Sequence, residues 1–220
     1  MNDSDLNEAR HGLKSVGRYL LEHDLTWGNA GNLSVRLGPD CYLITASGTR
    51  LGELQEDDFV ECSFDGTFSA ARQPSKETPM HQAVYEERPE IGAVLHASPF
   101  YSTLFACAQI PIPGDLFVED MYYLERVERV AYFHPGSPAL GEAVQARARD
   151  ANILLLENHG VLVYDKSLQE ALMGLQTLEM VCRMAITARS AGLELRSLPA
   201  STVTDFLTNS GYRPRREWPK

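Results

Sequence analysis

One carboxylate and two imidazoles stand in three separate segments that have the composition of strand or helix ends. Glu77 lies in PSKETPMH, His96 in LHASP and His159 in ENHG. A carboxylate and two imidazoles are ligands that zinc and other divalent first-row metals accept, at sites that keep coordination positions open. The three residues together therefore predict a divalent-metal site that can also receive a substrate.

Each of these residues also has an ordinary structural explanation. Acidic residues such as Glu77 are common in the first turn of a helix, where they interact favourably with the helix dipole. A single histidine near a strand end is more often structural than metal-ligating. His81, on the same predicted helix as Glu77, is interpreted as a packed or hydrogen-bonded residue. The metal hypothesis thus depends on the three residues occurring together.

Two short segments rich in glycine, asparagine and hydroxyl side chains suggest a site for an anion. The first is WGNAGNLSVR over 27–36, and the second is TASG over 45–48. Glycine and asparagine tolerate left-handed backbone conformations, which can turn successive N–H groups outward into an anion-binding nest. A tight loop ahead of a strand would have the same composition as the first segment, so that segment predicts either.

Apolar periodicity and capping signals divide the chain into alternating helices and strands. Helices are predicted over 4–24 and 137–149. Two more are predicted to begin where an N-cap residue precedes a proline, at Thr78 and at Ser98, and the longest is predicted to begin at the capping box of Ser167. Strands are predicted at 41–46, 58–64, 91–96, 130–133, 153–157 and 161–164, with a hairpin turn at Asp65 and Gly66. The stretch 66–73 is predicted as a loop, 114–129 as a loop with a helical piece, and the chain after Gly192 as less regular. This alternation predicts an α/β domain with a mixed central sheet and helices on its faces.

Composition limits the classes of partner. The 220 residues suit a single domain over 1–220, and 44% hydrophobic with 23% charged residues is ordinary for a globular protein. A formal net charge of -10 argues against nucleic acid and membrane surfaces as partners. The polar N-terminus does not resemble a signal peptide, no apolar run approaches membrane-spanning length, and the four cysteines include no CxxC pair. We therefore expect a cytoplasmic protein with reduced thiols.

Taken in order, the motifs GNAGN, TASG, PSKE, LH at a strand end and NHG resemble the class II aldolase/adducin family. The resemblance covers about residues 8–190 and leaves 191–220 as a C-terminal tail. It implies a nine-stranded mixed sheet flanked by helices on both faces. It also implies a homotetramer whose active sites lie between neighbouring subunits. A tyrosine from the neighbouring subunit often completes such sites, and Tyr122, Tyr123 and Tyr212 lie in the corresponding regions without one being assigned.

In the sugar-phosphate aldolases of this family, the glycine-asparagine loop and two hydroxyl-rich turns cradle a phosphate. Backbone amides and hydroxyls form such a cradle without any net positive charge on the protein. The family's second serine is Lys76 in this chain. That lysine could bind phosphate or carboxylate, or it could point to solvent. Carried over by position, the implied substrate- and phosphate-binding residues are Asn29, Asn32, Ser47, Gly48, Ser75 and Lys76.

The family holds its metal with three histidines, two of them in an H-x-H pair, and uses a glutamate as ligand or acid/base. His96, His159 and Glu77 match this pattern, whereas the second histidine of the pair is Ser98. A neutral serine is a poor zinc ligand, and Ser98 also has a structural explanation as a helix N-cap. His134 is not expected to replace the missing imidazole. The two histidines and Glu77 could still form a three-ligand site for zinc, or for manganese or iron.

The resemblance thus implies a metal-dependent lyase. In such enzymes a metal-stabilised enediolate allows aldol cleavage or decarboxylation of a small phosphorylated or carboxylated sugar-like substrate, with Glu77 moving the proton. A related dehydratase or epimerase would use the same centre. The alternative from a different class is a metal-free, non-catalytic assembly module of the adducin type, which Ser98 favours.

Overall fold

A mixed eight-stranded sheet runs through the computed structural model, which describes residues 3–69 and 71–218. Its strand order is β4-β3-β2-β1-β5-β8-β7-β6, and every neighbouring pair is antiparallel except the parallel pair of β6 and β7. The strands are β1 Asn32–Arg36, β2 Cys41–Thr45, β3 Phe59–Ser63, β4 Phe68–Ser69, β5 Ala93–Ala97, β6 Val127–Val130, β7 Ile153–Leu156 and β8 Gly160–Asp165.

The predicted mixed α/β architecture is confirmed, but the strand count differs from the nine that the resemblance implies. The described residues form eight strands. Apart from these strands, the segment ahead of Glu77 pairs with the residue that follows β2 through an isolated bridge between Ala46 and Pro74. Proline has no N–H to donate, so this pairing does not extend into a ladder.

Helices cover both faces of the sheet. They are α1 Asp3–Glu22, α2 Thr78–Glu87, α3 Phe100–Cys107, α4 Val118–Tyr123, α5 Pro138–Ala148, α6 Leu168–Ser190 and α7 Ala200–Asn209, with a 3₁₀ turn at Leu51–Glu53. Leu33 and Leu95 point into a core shared with α1, α3 and α6, whereas Val94 and Leu162 point into a second core shared with α2 and α5. This alternation is the period of two that a strand buried on both faces must show.

The helix N-caps predicted at Thr78 and Ser98 are wrong. Glu77 and Pro99 occupy the N-cap positions of α2 and α3, and neither accepts a capping hydrogen bond through its side chain. The Thr78 hydroxyl instead donates to the Ser75 carbonyl. The predicted caps at α5 and α6 are confirmed, because Ser137 Oγ accepts from Leu140 N and Ser167 Oγ accepts from Glu170 N.

Several elements differ from the sequence prediction. Strand β4 lies within the predicted loop 66–73, although the hairpin turn at Asp65 is confirmed by the antiparallel β3–β4 pair. The strand predicted at 130–133 is instead Val127–Val130, and its first three residues lie in the segment 114–129 that is predicted as a loop with a helical piece. Helix α7 occupies a stretch predicted to be less regular. None of its residues is fully buried, but Val203, Phe206 and Leu207 follow helical spacing and are half-buried, so the sequence carries a signal that the prediction missed.

The described end of the predicted tail, residues 210–218, docks on the domain; we call it the C-terminal arm. Arg216 is buried, donates to the Tyr122 carbonyl and forms an ion pair with Asp165 at the end of β8. The guanidinium groups of Arg88 and Arg126 both lie over the Trp218 ring, 5.1 and 4.3 Å from its centroid. Among the described residues, no helix combines the length and the apolar character that crossing a bilayer requires.

Candidate metal centre

Three chain segments meet at one end of the sheet because of how the strands pair. Strand β1 begins at Asn32, which lies opposite His96 near the end of β5. Strands β7 and β8 are joined by a tight turn that carries His159, whose backbone N–H donates to the Leu156 carbonyl at 3.1 Å. Because β8 also pairs with β5, this turn lies beside His96. Glu77 enters the same space from the loop that precedes α2.

The three predicted ligand residues come together there. Glu77 Oε2 lies 3.2 Å from His96 Nε2, and Glu77 Oε1 lies 3.1 Å from His159 Nε2. Their candidate ligand atoms all lie within 4.8 Å of one another. The two imidazole rings meet edge to face, with centroids 4.7 Å apart. One carboxylate and two imidazoles thus surround a space of the size that a metal ion needs.

Contacts outside this group orient two of the three side chains. His96 Nδ1 donates to the Val161 carbonyl at 3.0 Å, because a carbonyl can only accept. Its Nε2 therefore carries the lone pair in the neutral ring, which is the usual arrangement of a metal-binding histidine. The Asn32 amide donates to Glu77 Oε2 at 2.7 Å, and the Glu77 backbone N–H donates to Ser75 Oγ at 3.2 Å.

The protonation states suit a cation. Burial alone would raise the pKa of Glu77, but the facing imidazoles of His159 and His96 and the Asn32 amide together lower it to about 2. Burial lowers the pKa of His96 below its ordinary value, against the opposing effect of Glu77. An ionised carboxylate beside a neutral imidazole is the state from which ligands bind a metal ion.

The residues present fit a divalent metal. The lone pair on His96 Nε2 faces a carboxylate oxygen that also can only accept, and two such acceptors repel unless a cation lies between them. Glu77 Oε1 and His159 Nδ1 are buried without a hydrogen-bond partner within the described residues. Buried polar atoms are rarely left unpaired, and a bound ion is one of the ordinary explanations.

Ser98 and His134 lie outside this ligand set. The Ser98 hydroxyl donates to the His159 carbonyl at 3.4 Å, so it contacts the turn that carries His159. A Cβ atom added at Gly160 would lie 2.8 Å from Ser98 Oγ, which shows how closely this turn packs on the end of β5. His134 is exposed, and its Nδ1 lies 3.2 Å from the Tyr132 hydroxyl.

Two of the predicted anion-binding turns lie side by side next to Glu77. Ser47 N donates to the Gln73 carbonyl at 2.9 Å, and Ser75 N donates to the Thr45 carbonyl at 3.1 Å. Ser47, Ser75 and the exposed Lys76 line a cavity of about 480 Å³. Gly48 is exposed in the same turn, with a φ of 78°.

The two predicted asparagines have different surroundings. Asn29 is exposed in the turn before β1. Asn32 is buried, and both ends of its amide are used inside the protein, at Glu77 Oε2 and at His81 Nε2. The resemblance implied Asn32 as an anion ligand, and the motifs gave no sign of its contact with Glu77.

His81 is buried and hydrogen-bonded, as predicted, and it belongs to a buried polar network behind the centre. His81 Nδ1 lies 2.7 Å from Ser34 Oγ, which lies 2.9 Å from the Tyr85 hydroxyl. Burial lowers the pKa of His81 to about 3, with a further lowering from His96. A signal for this network exists in the sequence, because His81 and Tyr85 are four residues apart on α2 while positions 32 and 34 share one face of β1.

The tyrosines considered for the site are engaged elsewhere in the chain. The Tyr122 hydroxyl donates to the Pro214 carbonyl at 3.2 Å, and the Tyr123 hydroxyl donates to Glu170 Oε2 at 3.0 Å. Tyr212 meets Tyr122 ring to ring, with centroids 6.0 Å apart. All three therefore pack where the C-terminal arm docks.

Comparison with known proteins now decides the family. Residues 12–186 match the profile of the Class II Aldolase and Adducin N-terminal domain. The chain belongs to the class II aldolase/adducin family. A 3-oxo-tetronate 4-phosphate decarboxylase from Haemophilus influenzae is 34% identical over 89% of this chain and 94% of its own length. An L-fuculose phosphate aldolase from Methanocaldococcus jannaschii is 31% identical over 78% of this chain and 92% of its own length.

Solved structures confirm the fold of this family member. The crystal structure of YgbL from Klebsiella pneumoniae superimposes with a TM-score of 0.81 at 30% identity, covering 91% of this chain and 98% of that one. The family inferred from the order of the sequence motifs is thus confirmed. The curated relatives named above are lyases.

Proposed function

We propose that this class II aldolase family member is a metal-dependent carbon–carbon lyase, and that its leading reaction is decarboxylation of a small phosphorylated 3-oxo sugar acid. The observation that carries the proposal is the convergence of Glu77, His96 and His159 within 4.8 Å. The choice of decarboxylation is supported by the similarity to the Haemophilus influenzae decarboxylase over 89% of this chain. An assembly module would have no need of a buried carboxylate faced by two imidazoles.

The residues of the centre have separate roles in this proposal. A divalent ion, with zinc the first choice for two imidazoles and a carboxylate, would supply Lewis-acid chemistry to the substrate carbonyl. His96 stays neutral, and its bond to the Val161 carbonyl holds Nε2 toward the centre. Glu77 is ionised at neutral pH. Its Oε1, the carboxylate oxygen with no hydrogen-bond partner among the described residues, would take up a proton from water and pass it to the substrate carbon that loses carbon dioxide.

The anionic end of the substrate would bind at the neighbouring turns. Hydroxyls of Ser47 and Ser75 and the backbone around Gly48 offer neutral donors, and Asn29 lies exposed in the turn before β1. Lys76 adds a cation on the same cavity wall. The lining of this cavity includes none of the three ligand residues, and it adjoins the centre through Ser75, whose Oγ accepts from Glu77 N. A phosphate or carboxylate bound there would have donors despite the negative charge of the whole chain.

Aldol cleavage is the second candidate, because a relative 31% identical over 78% of this chain is an L-fuculose phosphate aldolase. Both reactions place electrons on a carbon next to a carbonyl, so both would use the same ligand residues. The products separate them, since one releases carbon dioxide and the other an aldehyde.

The decisive experiment joins metal content to product analysis. Purified wild type and the His96→Ala and His159→Ala variants are analysed for bound metal by mass spectrometry, with His134→Ala as the matched histidine control. We expect near-stoichiometric metal in the wild type and the control, and little in the other two. Carbon dioxide release from 3-oxo-tetronate 4-phosphate is then compared with aldehyde release from L-fuculose phosphate. A wild type that binds neither zinc, manganese nor iron and turns over neither compound would favour the metal-free assembly module.

Assembly into a homotetramer with active sites between subunits stays a prediction. Large apolar side chains exposed on and after α3 and α6 support it: Phe100 is 69% exposed, Met180 51% and Leu193 68%. Sedimentation velocity would measure the assembly directly. A monomer at all accessible concentrations would contradict it.

A further inference from the structure

Behind Glu77 lies a continuous line of buried hydrogen bonds that no ligand role explains. It runs from Tyr85 through Ser34, His81 and Asn32 to the carboxylate, with distances of 2.9, 2.7, 2.5 and 2.7 Å. None of the four supporting side chains is more than 5% exposed. Such a network is costly to bury unless every member is satisfied, so its arrangement is closely determined.

The direction of these bonds follows from the carboxylate. An ionised carboxylate can only accept, so Asn32 must present its Nδ2 to Glu77 and its Oδ1 to His81. His81 Nε2 must therefore carry a proton. In the neutral ring Nδ1 then accepts from the Ser34 hydroxyl, and Ser34 Oγ accepts from Tyr85. Every donor in the line points toward Glu77.

This direction gives the two oxygens of Glu77 different surroundings. Oε2 receives the Asn32 amide, whereas Oε1 faces His159 with no hydrogen-bond partner among the described residues. A reversed Asn32 amide would set one acceptor oxygen against another. Reversal is opposed by His81, because its Nε2–H would then face the amide N–H.

We propose that His81 is a positioning residue, which fixes the Asn32 amide and through it the orientation of the Glu77 carboxylate, while Ser34 and Tyr85 select the His81 tautomer. The proposal deepens the proposed function, on whose metal centre it rests. Its structural content is nevertheless measurable in metal-free protein.

The first test locates protons in metal-free, ¹⁵N-labelled protein by nuclear magnetic resonance. We expect a His81 ring protonated at Nε2, and an Asn32 side-chain amide protected from solvent exchange. Tyr85→Phe should shift His81 toward a mixture of tautomers, and His81→Phe should expose the Asn32 amide to faster exchange. Tyr164→Phe is the matched control, since Tyr164 is equally buried and its hydroxyl donates to the Ala148 carbonyl, far from Glu77.

The second test measures cobalt affinity by competition with a chelator. Removing a residue that orients a metal ligand typically lowers metal affinity about 10–100-fold. We expect a loss of cobalt affinity of about that size in His81→Phe. His81→Gln should recover most of it, because a glutamine amide can donate to Asn32 Oδ1 as the imidazole does. Tyr164→Phe should bind cobalt as the wild type does.

The outcomes separate this inference from the proposed function. A His81 protonated only at Nδ1, or an Asn32 amide that His81→Phe leaves unchanged, overturns the inference whatever the protein binds. A wild type without metal affinity but with the expected resonances overturns the proposed function and leaves the positioning of Glu77 intact. If His81→Phe does not fold, His81→Gln and Tyr85→Phe still decide the result.

Discussion

Gly31 is the residue that allows β1 to start so close to the end of β5. Its φ is 86°, a left-handed value that side chains rarely adopt, and an added Cβ would lie 2.5 Å from the His96 carbonyl oxygen. Gly28, in the same turn, has a φ of 57° but nothing within 4 Å of its added Cβ. The two glycines share a left-handed backbone conformation and differ in the space around them.

Alanine at these two glycines should therefore cost different amounts. We expect Gly28→Ala to lower the free energy of unfolding by about 1–2 kcal/mol, the left-handed penalty alone. Gly31→Ala should lower it by about 3 kcal/mol or more, because the clash adds to that penalty. Urea denaturation measures both, and metal affinity should fall only in Gly31→Ala. Equal losses in the two variants would mean that the turn relaxes away from His96.

Ser98 stands at the position where the resemblance to the family implies a histidine ligand. Its hydroxyl contacts the His159 carbonyl at a long 3.4 Å and is not part of the ligand group. We expect Ser98→Ala to retain the metal content of the wild type and to lose less than about 1 kcal/mol of stability. Metal lost from Ser98→Ala as completely as from His159→Ala would make the serine part of the centre.

Local apolar patterns and helix caps in the sequence predicted most of the helices and strands. The buried strands β5, β7 and β8 and the helices from Ser137 and Ser167 carry strong apolar patterns or caps. Strand β6, of sequence VERV, is half polar at the sheet edge and has no clear pattern. Helix α7 has amphipathic spacing at Val203, Phe206 and Leu207, but none of its residues is fully buried. Element type followed from periodicity, and the misses occur where burial is weak.

The candidate site likewise could be predicted only where local motifs mark its residues. Glu77, His96 and His159 could be found because each stands at an element end in a recognisable motif. The Asn32 contact with Glu77 joins residues 45 positions apart and depends on the register that sets Asn32 opposite His96. Register and helix entry are tertiary properties, so a single sequence did not reveal this contact.

The longest helix, α6, begins with a side-chain cap at Ser167. Ser167 Oγ accepts from Glu170 N at 3.2 Å and satisfies one of the free N–H groups at the helix start. Ser167→Ala should lower the free energy of unfolding by about 1 kcal/mol, and Ser167→Asp should restore most of it. Thermal and urea unfolding compare the three proteins. An aspartate no better than alanine would show that the cap adds nothing measurable.

For the whole molecule, the metal centre and the C-terminal arm lie at opposite ends of the same strand. His159 immediately precedes β8, and Asp165, the partner of Arg216, ends it. At about 3.4 Å per residue the two ends of that six-residue strand are roughly 17 Å apart. Changes in the arm should therefore affect stability without affecting metal binding.

The ion pair of Arg216 with Asp165 tests this separation. Their side chains are only 6% and 11% exposed, and the Arg216 guanidinium also lies over the Tyr122 ring, 4.1 Å from its centroid. Removing one partner of a buried pair leaves an unpaired charge, so Arg216→Met should cost about 3 kcal/mol or more. The double variant with Asp165→Asn should lose less than the sum of the single variants, because no charge is then left unpaired.

Arg213 supplies the control on the same arm. Its pair with Glu170 is 3.3 Å long with side chains 36% and 23% exposed, so Arg213→Met should cost much less stability than Arg216→Met. Zinc affinity should match the wild type in all of these variants, since the arm does not contact the centre. Additive losses in the Arg216 and Asp165 cycle would mean that the pair is solvated. A zinc affinity that falls with the arm would instead mean that β8 transmits strain from one end to the other, and that the arm helps to hold His159 in place.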